Sequence, residues 1–442
     1  MASYRRDTTP ALRKLASQGQ SFTQCMSHTN WTLASTTSIL TGTYPSHHGV
    51  GMGEMALPTS LTTAPALFSD SGYHTACLSR NTYISETTDL VRDFDEYEWI
   101  DARTMLSSAG LRTSLKYLLN IRRHSAGFDW DTGKHSTPFL MNDVAKRWIS
   151  RFVKNDSPFF FYLHYNEPHR PYYPPLPYLK TYTEDIEMSA KEAAAFSMDV
   201  HYNAEEFIAN GCDFSEDEWD ALYAMYDAEI RYTDECLRRL YSYANECVED
   251  LIFVVTSDHG QLFGEQDMLF HKNSLLHDGL INVPLVVSGL DEELVVDDDD
   301  LVQHADLMQT LCELYGSASD QFQGVNLTEE GRQYTISQRS PEDFEEYLEY
   351  NEDFDTNRYP NDLLTALRTN EYKYYQSDDG SLLHNLPDED NNVLDAKPEI
   401  EERLGSWLSD WLGSEGKRVS DRKDAEFSEV EKSQLRELGY LE

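Results

Sequence analysis

Residues 251–260 read LIFVVTSDHG: an apolar run, Leu251–Thr256, followed at once by Asp258, His259 and Gly260. A short continuous apolar run reads as a buried strand when a long helical pattern precedes it. That pattern is present over 215–246. Ser215 and Glu218 stand at capping-box spacing, and Leu222, Tyr226, Ile230, Leu237 and Tyr241 form an apolar stripe. The same grammar occurs upstream, where DVAKRWISRFV (143–153) carries a helical face through Val144, Trp148, Ile149 and Phe152 and leads into PFFFYLHY (158–165). That second run predicts a central strand buried on both faces. GYHTACLS (72–79) and NVPLVVSG (282–289) add further strands, and TTPALRKLASQG predicts an early helix with Thr9 as cap, Pro10 at its first position and Gly19 as its stop. Helices alternating with apolar strands predict an α/β fold: a mostly parallel sheet sandwiched by helices, with ligands gathered at the carboxyl ends of the strands.

Those ends carry the chemistry-bearing side chains. Asp258 and His259 place a carboxylate beside an imidazole, a pair able to reach one divalent ion. His164 and His169 flank the end of the 158–165 run in LHYNEPHRPYYPP, and His271 and Lys272 lie a short loop beyond Asp258. Each alone is ordinary; together at strand ends they predict a site. Residues 28–50, HTNWTLASTTSILTGTYPSHHGV, pose a separate question. Leu33, Ile39 and Leu40 with a stop at Gly42 predict a helix, but Thr32 and the run Ser35–Ser38 are middling helix formers. Two readings stay open: a cap followed by a small-residue packing face, or a hydroxyl at a helix N-terminus where a bound oxyanion is favoured.

Charge narrows the function classes. Among 442 residues, 78 are acidic and 36 basic, a net charge of −42 that repels nucleic-acid phosphates. Acidic patches recur at 184–187, 213–220, 291–300, 342–355 and 388–390, so the excess is not one tail. An acidic surface adapted to a salt-rich cytoplasm, where screening relieves self-repulsion, is the favoured explanation over acidic tails or a cation store. Six scattered cysteines with no CxxC read as reduced. The opening MASYRRDTTPALRKL has no apolar leader core and no run is long enough to span a membrane, so a soluble protein is expected. The texture changes near residue 316. LLTALRTNEYKYYQSDDGSLLHNL alternates like antiparallel strands with a turn at Asp378–Ser381, and EIEERLGSWLSDWLG is an amphipathic helix, predicting a main α/β domain over 1–315 and a small α+β subdomain over 316–442.

Taken together, DTTPALRKLASQGQSFTQC, TLASTTSILTGTYPSHHGV, FFFYLHYNEPHRPY, YDAEIRYTDECLRRL, the segment VVTSDHGQLFGEQDMLFHKNSLLHDGLINVPLVV and the closing LRELGYLE resemble the sulfatases, within the alkaline phosphatase superfamily. The resemblance implies a nucleophile at Thr32, where sulfatases carry a Cys or Ser followed by x-Pro-x-Arg and oxidise it to formylglycine. Here Thr32-Leu33-Ala34-Ser35-Thr36 lacks both the oxidisable residue and the Arg. It further implies that Asp258 and His259 bind a divalent metal (Ca, Mg, Mn or Zn), that His164 belongs to the substrate-binding strand, and that His169 with His271 or Lys272 contacts the anionic group or protonates the leaving oxygen. The family also has an opening strand with metal-binding aspartates ahead of the part matching SYRRDTTP. Asp7 aligns with the later turn and is not such a ligand, so the expectation is a missing strand whose place lies ahead of Met1; the alternative is a relative that has lost catalysis.

The implied activity is metal-dependent hydrolysis of a small anionic ester. A threonine ester must be hydrolysed at phosphorus or sulfur, whereas a formylglycine diol expels sulfate through its second hydroxyl, so Thr32 tilts the chemistry from sulfate toward phosphate mono- or diesters. A phosphodiesterase or phosphoryl head-group transferase using the same residues is one alternative. A sulfatase-like binding protein without catalysis is another.

Overall fold

The structure is a computed structural model that describes residues 6–100, 108–129, 131–272, 276–417, 419 and 425–438. The start at Met1 and the last residues of LRELGYLE lie outside the described residues. Helix α1 (Pro10–Ala16) feeds strand β1 (Gln20–Met26) and then α2 (Thr32–Thr41). Thr9 holds the cap position of α1 but makes no side-chain cap bond. The orphan N–H groups of Ala11 and Leu12 instead donate to the buried Asp234 carboxylate, both at 2.9 Å. The helix stops at Ala16, and Gly19 serves a different purpose: a β-carbon there would strike the Val287 carbonyl oxygen on the neighbouring strand.

Strands β2 (His74–Ser79) and β3 (Glu96–Trp99) follow, then helix α3 (Gly110–Leu119), α4 (Pro138–Lys154) and β4 (Phe159–His164). The long helix α5 (Glu216–Cys247) begins with the capping box foreseen at Ser215 and Glu218 and leads to β5 (Phe253–Thr256). Next come β6 (Asn282–Ser288), β7 (Leu301–Gln303) and α6 (His304–Tyr315).

These strands form an α/β sandwich whose sheet is mixed. β3, β2 and β4 are mutually parallel, in that order. The second group runs β5-β6-β1-β7; β6 is antiparallel to both β5 and β1, and only β1 and β7 are parallel. Helices alternating with apolar strands predict a mostly parallel sheet, but NVPLVVS, a continuous apolar run, lies antiparallel to both its neighbours. Covering helices complete the layers. Phe22, Leu285 and Val302 of the sheet pack on Leu307 and Leu311 of α6, while Leu78 meets Leu140, Val144 and Ile149 of α4 and Leu240 of α5.

β4 departs from its expected central position. It pairs with β2 on one side, β5 pairs with β6 on one side, and all described residues of both strands are only half-buried. Both strands line one cavity of about 1830 Å³, walled by Leu12, Ile149 and Leu237 from α1, α4 and α5 and by Ile39 and Leu311 from α2 and α6. An apolar strand reads as fully buried from its own sequence, and whether both edges find a ladder partner is set elsewhere.

The C-terminal part is a four-stranded antiparallel sheet, β8 (Thr335–Arg339), β9 (Leu364–Arg368), β10 (Tyr372–Ser377) and β11 (Gly380–Asn385), with the β10–β11 turn where the alternation located it. Helix α7 (Pro398–Ser414) lays Leu404, Leu408 and Trp411 on Ile336, Leu367 and Leu383. Helix α8 (Glu429–Glu437) returns to the first sheet, where Gln434 donates to the Arg80 carbonyl. The Ser337 hydroxyl and Gln338 N–H of β8 donate to the carbonyls of Ser27 and His28, at 2.6 and 2.8 Å, so the second sheet buttresses the end of β1.

Candidate active site

Helix α2 starts at Thr32, after extended Trp31, and ends at Gly42, whose φ of 62° is the left-handed turn a glycine tolerates. All ten of its residues are buried. The hydroxyls are working parts of that burial. Ser35, with Ser27 at the end of β1, donates to the Asp258 carbonyl (2.7 and 2.5 Å). Thr37 and Thr41 turn back onto the Leu33 and Thr37 carbonyls, each at 2.7 Å, and Ser38 lies 3.1 Å from Nε2 of His48. Small hydroxyl residues thus bring the helix against the strand ends and hold the Asp258 backbone. The packing and anion readings of residues 28–50 are compatible.

The Thr32 Oγ1 is 3.3 Å from Nε2 of His259. His259 Nδ1 lies 2.9 Å from the Gly260 carbonyl, an acceptor only, so Nδ1 carries the proton and Nε2 presents a lone pair toward the threonine hydroxyl. Gly260 is required here: a β-carbon would fall on the Gly279 carbonyl, and the Gly260 N–H donates to Leu280 O at 2.6 Å. Asp258 is half-buried, and the partial loss of water around its carboxylate alone raises a carboxyl pKa. The His259 and His164 imidazoles and the Thr32 hydroxyl outweigh that and hold it below the usual value. Its Oδ2 is buried without a hydrogen-bond partner, 3.7 Å from His259 Nε2.

Two more imidazoles complete the cluster. The His271 ring centre is 4.9 Å from that of His259 and 4.9 Å from that of His169. His169 Nδ1 donates to the Arg170 carbonyl at 2.7 Å, and His271 Nδ1 faces the Gln261 side-chain oxygen at 3.3 Å. Burial first, with nearby Arg170 among the charges that add to it, pushes His169 down to about 3 and His271 well below the usual range, so both rings are neutral near pH 7. The loop bearing His169 is pinned by Glu167, whose carboxylate accepts from the Thr137 N–H and hydroxyl at 2.6 and 3.1 Å. His164, at the end of β4, joins Thr32, Asp258 and His259 in the wall of the same cavity. The Lys272 ammonium is engaged elsewhere, 2.7 Å from Glu205 and 3.8 Å from Glu346.

Thr32, His164, His169, Asp258, His259 and His271 are therefore brought together, and Lys272 is tied into an acidic pair beside them. Sequence reasoning missed Asn81, Asn166, Gln261 and Arg170. The first three line the cavity; Arg170 is buried with its guanidinium 4.8 Å over the Phe270 ring. Only Arg170 had a signal, as a cation next to His169 in a rigid Pro-rich loop. As a cation site, Asp258 and His259 supply oxygen and imidazole donors suited to a divalent ion, and the unpartnered Oδ2 fits that use. Among the described residues no group of three or more His, Cys, Asp or Glu side chains gathers around one point, so these donors cover one side of an ion.

The sulfatase family profile matches residues 1–317, and the chain belongs to that family, placing it among hydrolases of sulfuric esters. It is 26% identical over 402 residues to the ulvan-active sulfatase of Formosa agariphila, covering 89% of this chain and 73% of that protein. An arylsulfatase of Clostridium perfringens is 22% identical, with 83% and 86% covered. Among solved structures, the phosphonate monoester hydrolase of Silicibacter pomeroyi shares the fold with a TM-score of 0.66 at 18% identity, covering 92% of this chain and 90% of that one.

Proposed function

We propose that this chain is a metal-dependent hydrolase of small sulfate or phosphate esters that uses Thr32 as its nucleophile. The observation that carries the reading is the Thr32 hydroxyl 3.3 Å from the lone-pair nitrogen of His259, beside the half-buried Asp258 carboxylate. The Thr32 hydroxyl passes its proton to water, since the His259 Nε2 lone pair is the one offered to the cation; the Thr32 oxygen bonds to phosphorus or sulfur as the bond to the ester oxygen breaks, and the departing oxygen takes a proton from water. Water then attacks the same atom and releases Thr32. Asp258 and His259 are the residues that hold a Ca, Mg, Mn or Zn ion, which when bound supplies positive charge against the anion and lowers the hydroxyl pKa. His164, His169 and His271 line the anion's pocket. Both His169 and His271 are neutral in the free protein, so the acid role requires a proton gained with the substrate. Lys272 contributes through its pairing with Glu205.

Threonine at this position favours phosphate over sulfate. The test is a panel of chromogenic phosphate monoesters, diesters and sulfates with each cation in molar salt. Turnover of phosphates above sulfates supports the reading, and equal turnover by Thr32→Ala removes it. The apolar cavity between β4 and β5 supports a further extended segment completing the sheet, as the family resemblance implies. Higher activity in a chain extended ahead of Met1 is the expected outcome. The incomplete cation donor set favours a second reading, a binding protein that keeps the fold without catalysis; it predicts no Mn²⁺ uptake by calorimetry. The acidic balance and unpaired cysteines support a salt-rich, reducing compartment such as a cytoplasm.

A further inference from the structure

Helix α3 is built inside out. Its inward face is Thr113, Ser114 and Tyr117, anchored by Thr113 donating to Asp143 at 2.6 Å and Tyr117 to the Ser136 carbonyl at 3.3 Å. Its outward face is leucine: Leu111 is 76% exposed and Leu119 77%, with Leu115 and Leu118 between them and Phe128 just beyond at 84%. A globular surface helix does the reverse. Among the described residues, the other large exposed apolar side chains are scattered: Val153, Tyr202, Val295, Tyr350, Leu363 and Val430. The charge is inverted too. In a chain of net −42, residues 102–128 contain no Asp or Glu, and Arg112, Arg122 and Arg123 are exposed beside the leucines. Among the described residues no helix is long and apolar enough to cross a membrane.

We propose that α3 and the turn through Phe128 form an interfacial docking element for an anionic lipid bilayer. The leucines and Phe128 enter the acyl boundary and the arginines meet the headgroups. Charge complementarity selects this occupant, because the chain as a whole carries −42 and repels an anionic surface, while this stretch has no Asp or Glu and presents exposed arginines to it. A second copy fits less well. A symmetric contact through α3 stacks Arg112, Arg122 and Arg123 against their own kind, and elsewhere the described surface offers no matching apolar patch.

The test is flotation of the full chain with vesicles of equimolar phosphatidylglycerol and phosphatidylcholine, against phosphatidylcholine alone. The KCl concentration is the lowest that keeps the chain folded by circular dichroism. The chain is expected to float with the anionic vesicles, to partition about tenfold less as Leu115→Ser/Leu119→Ser or as Arg122→Glu/Arg123→Glu, and to gain hydrogen-exchange protection over 110–128. All four positions are exposed, so folding is spared, and the exchange measurement needs no variant. No flotation, equal flotation by either variant, protection elsewhere, or a lipid-free dimer dissolved by Leu115→Ser/Leu119→Ser overturns the proposal. None of these residues touches the candidate site, so unchanged ester turnover alongside lost flotation separates this result from failure of the catalytic reading.

Discussion

Thr32, Ser35 and Gly260 show three ways a single residue fixes the site. Thr32 supplies the hydroxyl. Its replacement by Ala is expected to lower kcat/KM on the best chromogenic ester by at least ~10³-fold, while Thr32→Ser retains measurable turnover. Ser35 supplies a hydrogen bond to the Asp258 carbonyl, so Ser35→Ala costs about 1 kcal/mol in chemical denaturation, with the loss falling on a backbone next to the catalytic pair. Gly260 supplies room. At this scale the sequence was legible where chemistry and position coincide, as at Asp258 and His259 after a strand. It was opaque for Asn81 and Gln261, which are ordinary loop residues until the fold brings their loops to one cavity. Lys272 is the converse. Its type suggested contact with an anion, and its neighbours Glu205 and Glu346, distant in sequence, claim its charge.

At the scale of elements, helices announced themselves through capping boxes and apolar stripes, and the strands through apolar runs. Direction and pairing did not, because β6 presents the same apolar surface whether parallel or antiparallel, and nothing within β4 records that one of its edges faces a cavity. The coupling between the C-terminal sheet and the site was equally hidden. Lys373 on β10 is fully buried between Asp278 and Glu389, each at 2.5 Å, and Arg368 on β9 reaches Asp278 at 2.9 Å. Burial works against the Asp278 charge, yet the two cations hold its carboxyl well below the usual range. Asp278 opens the turn whose Leu280 carbonyl binds Gly260, so this ion cluster supports the backbone beside His259. Lys373→Ala leaves Glu389 buried without its cation and is expected to destabilise the chain by about 3–5 kcal/mol in chemical denaturation.

For the whole molecule, charge and buried histidines set the working conditions. A net charge of −42 repels itself at low ionic strength, so the thermal midpoint is expected to rise steadily from dilute buffer to molar KCl; a flat profile contradicts a surface adapted to salt. Burial lowers His124 to about 4, and burial with the Arg170 charge lowers His201 to about 3. Both are neutral when folded and titrate near 6.5 when unfolded, so their stabilisation is full above about pH 6.5 and drains as pH falls toward those values. Glu229, pushed up by burial, works in the opposite sense: its contribution is lost as pH rises above the ordinary glutamate range. The histidine part is isolated by His201→Gln, expected to flatten the acid limb by about 1.4 kcal/mol per pH unit between pH 4 and 6.

The central claim is that the Thr32 oxygen becomes covalently bonded to the central atom of the ester. Acid quench during turnover of a chromogenic phosphate ester, followed by mass spectrometry of the peptide spanning residues 28–50, tests it directly. A phosphoryl group on Thr32, absent from the Asp258→Asn protein, is the predicted result. Sustained turnover with Thr32 unmodified, or a phosphoryl group on another residue, contradicts it.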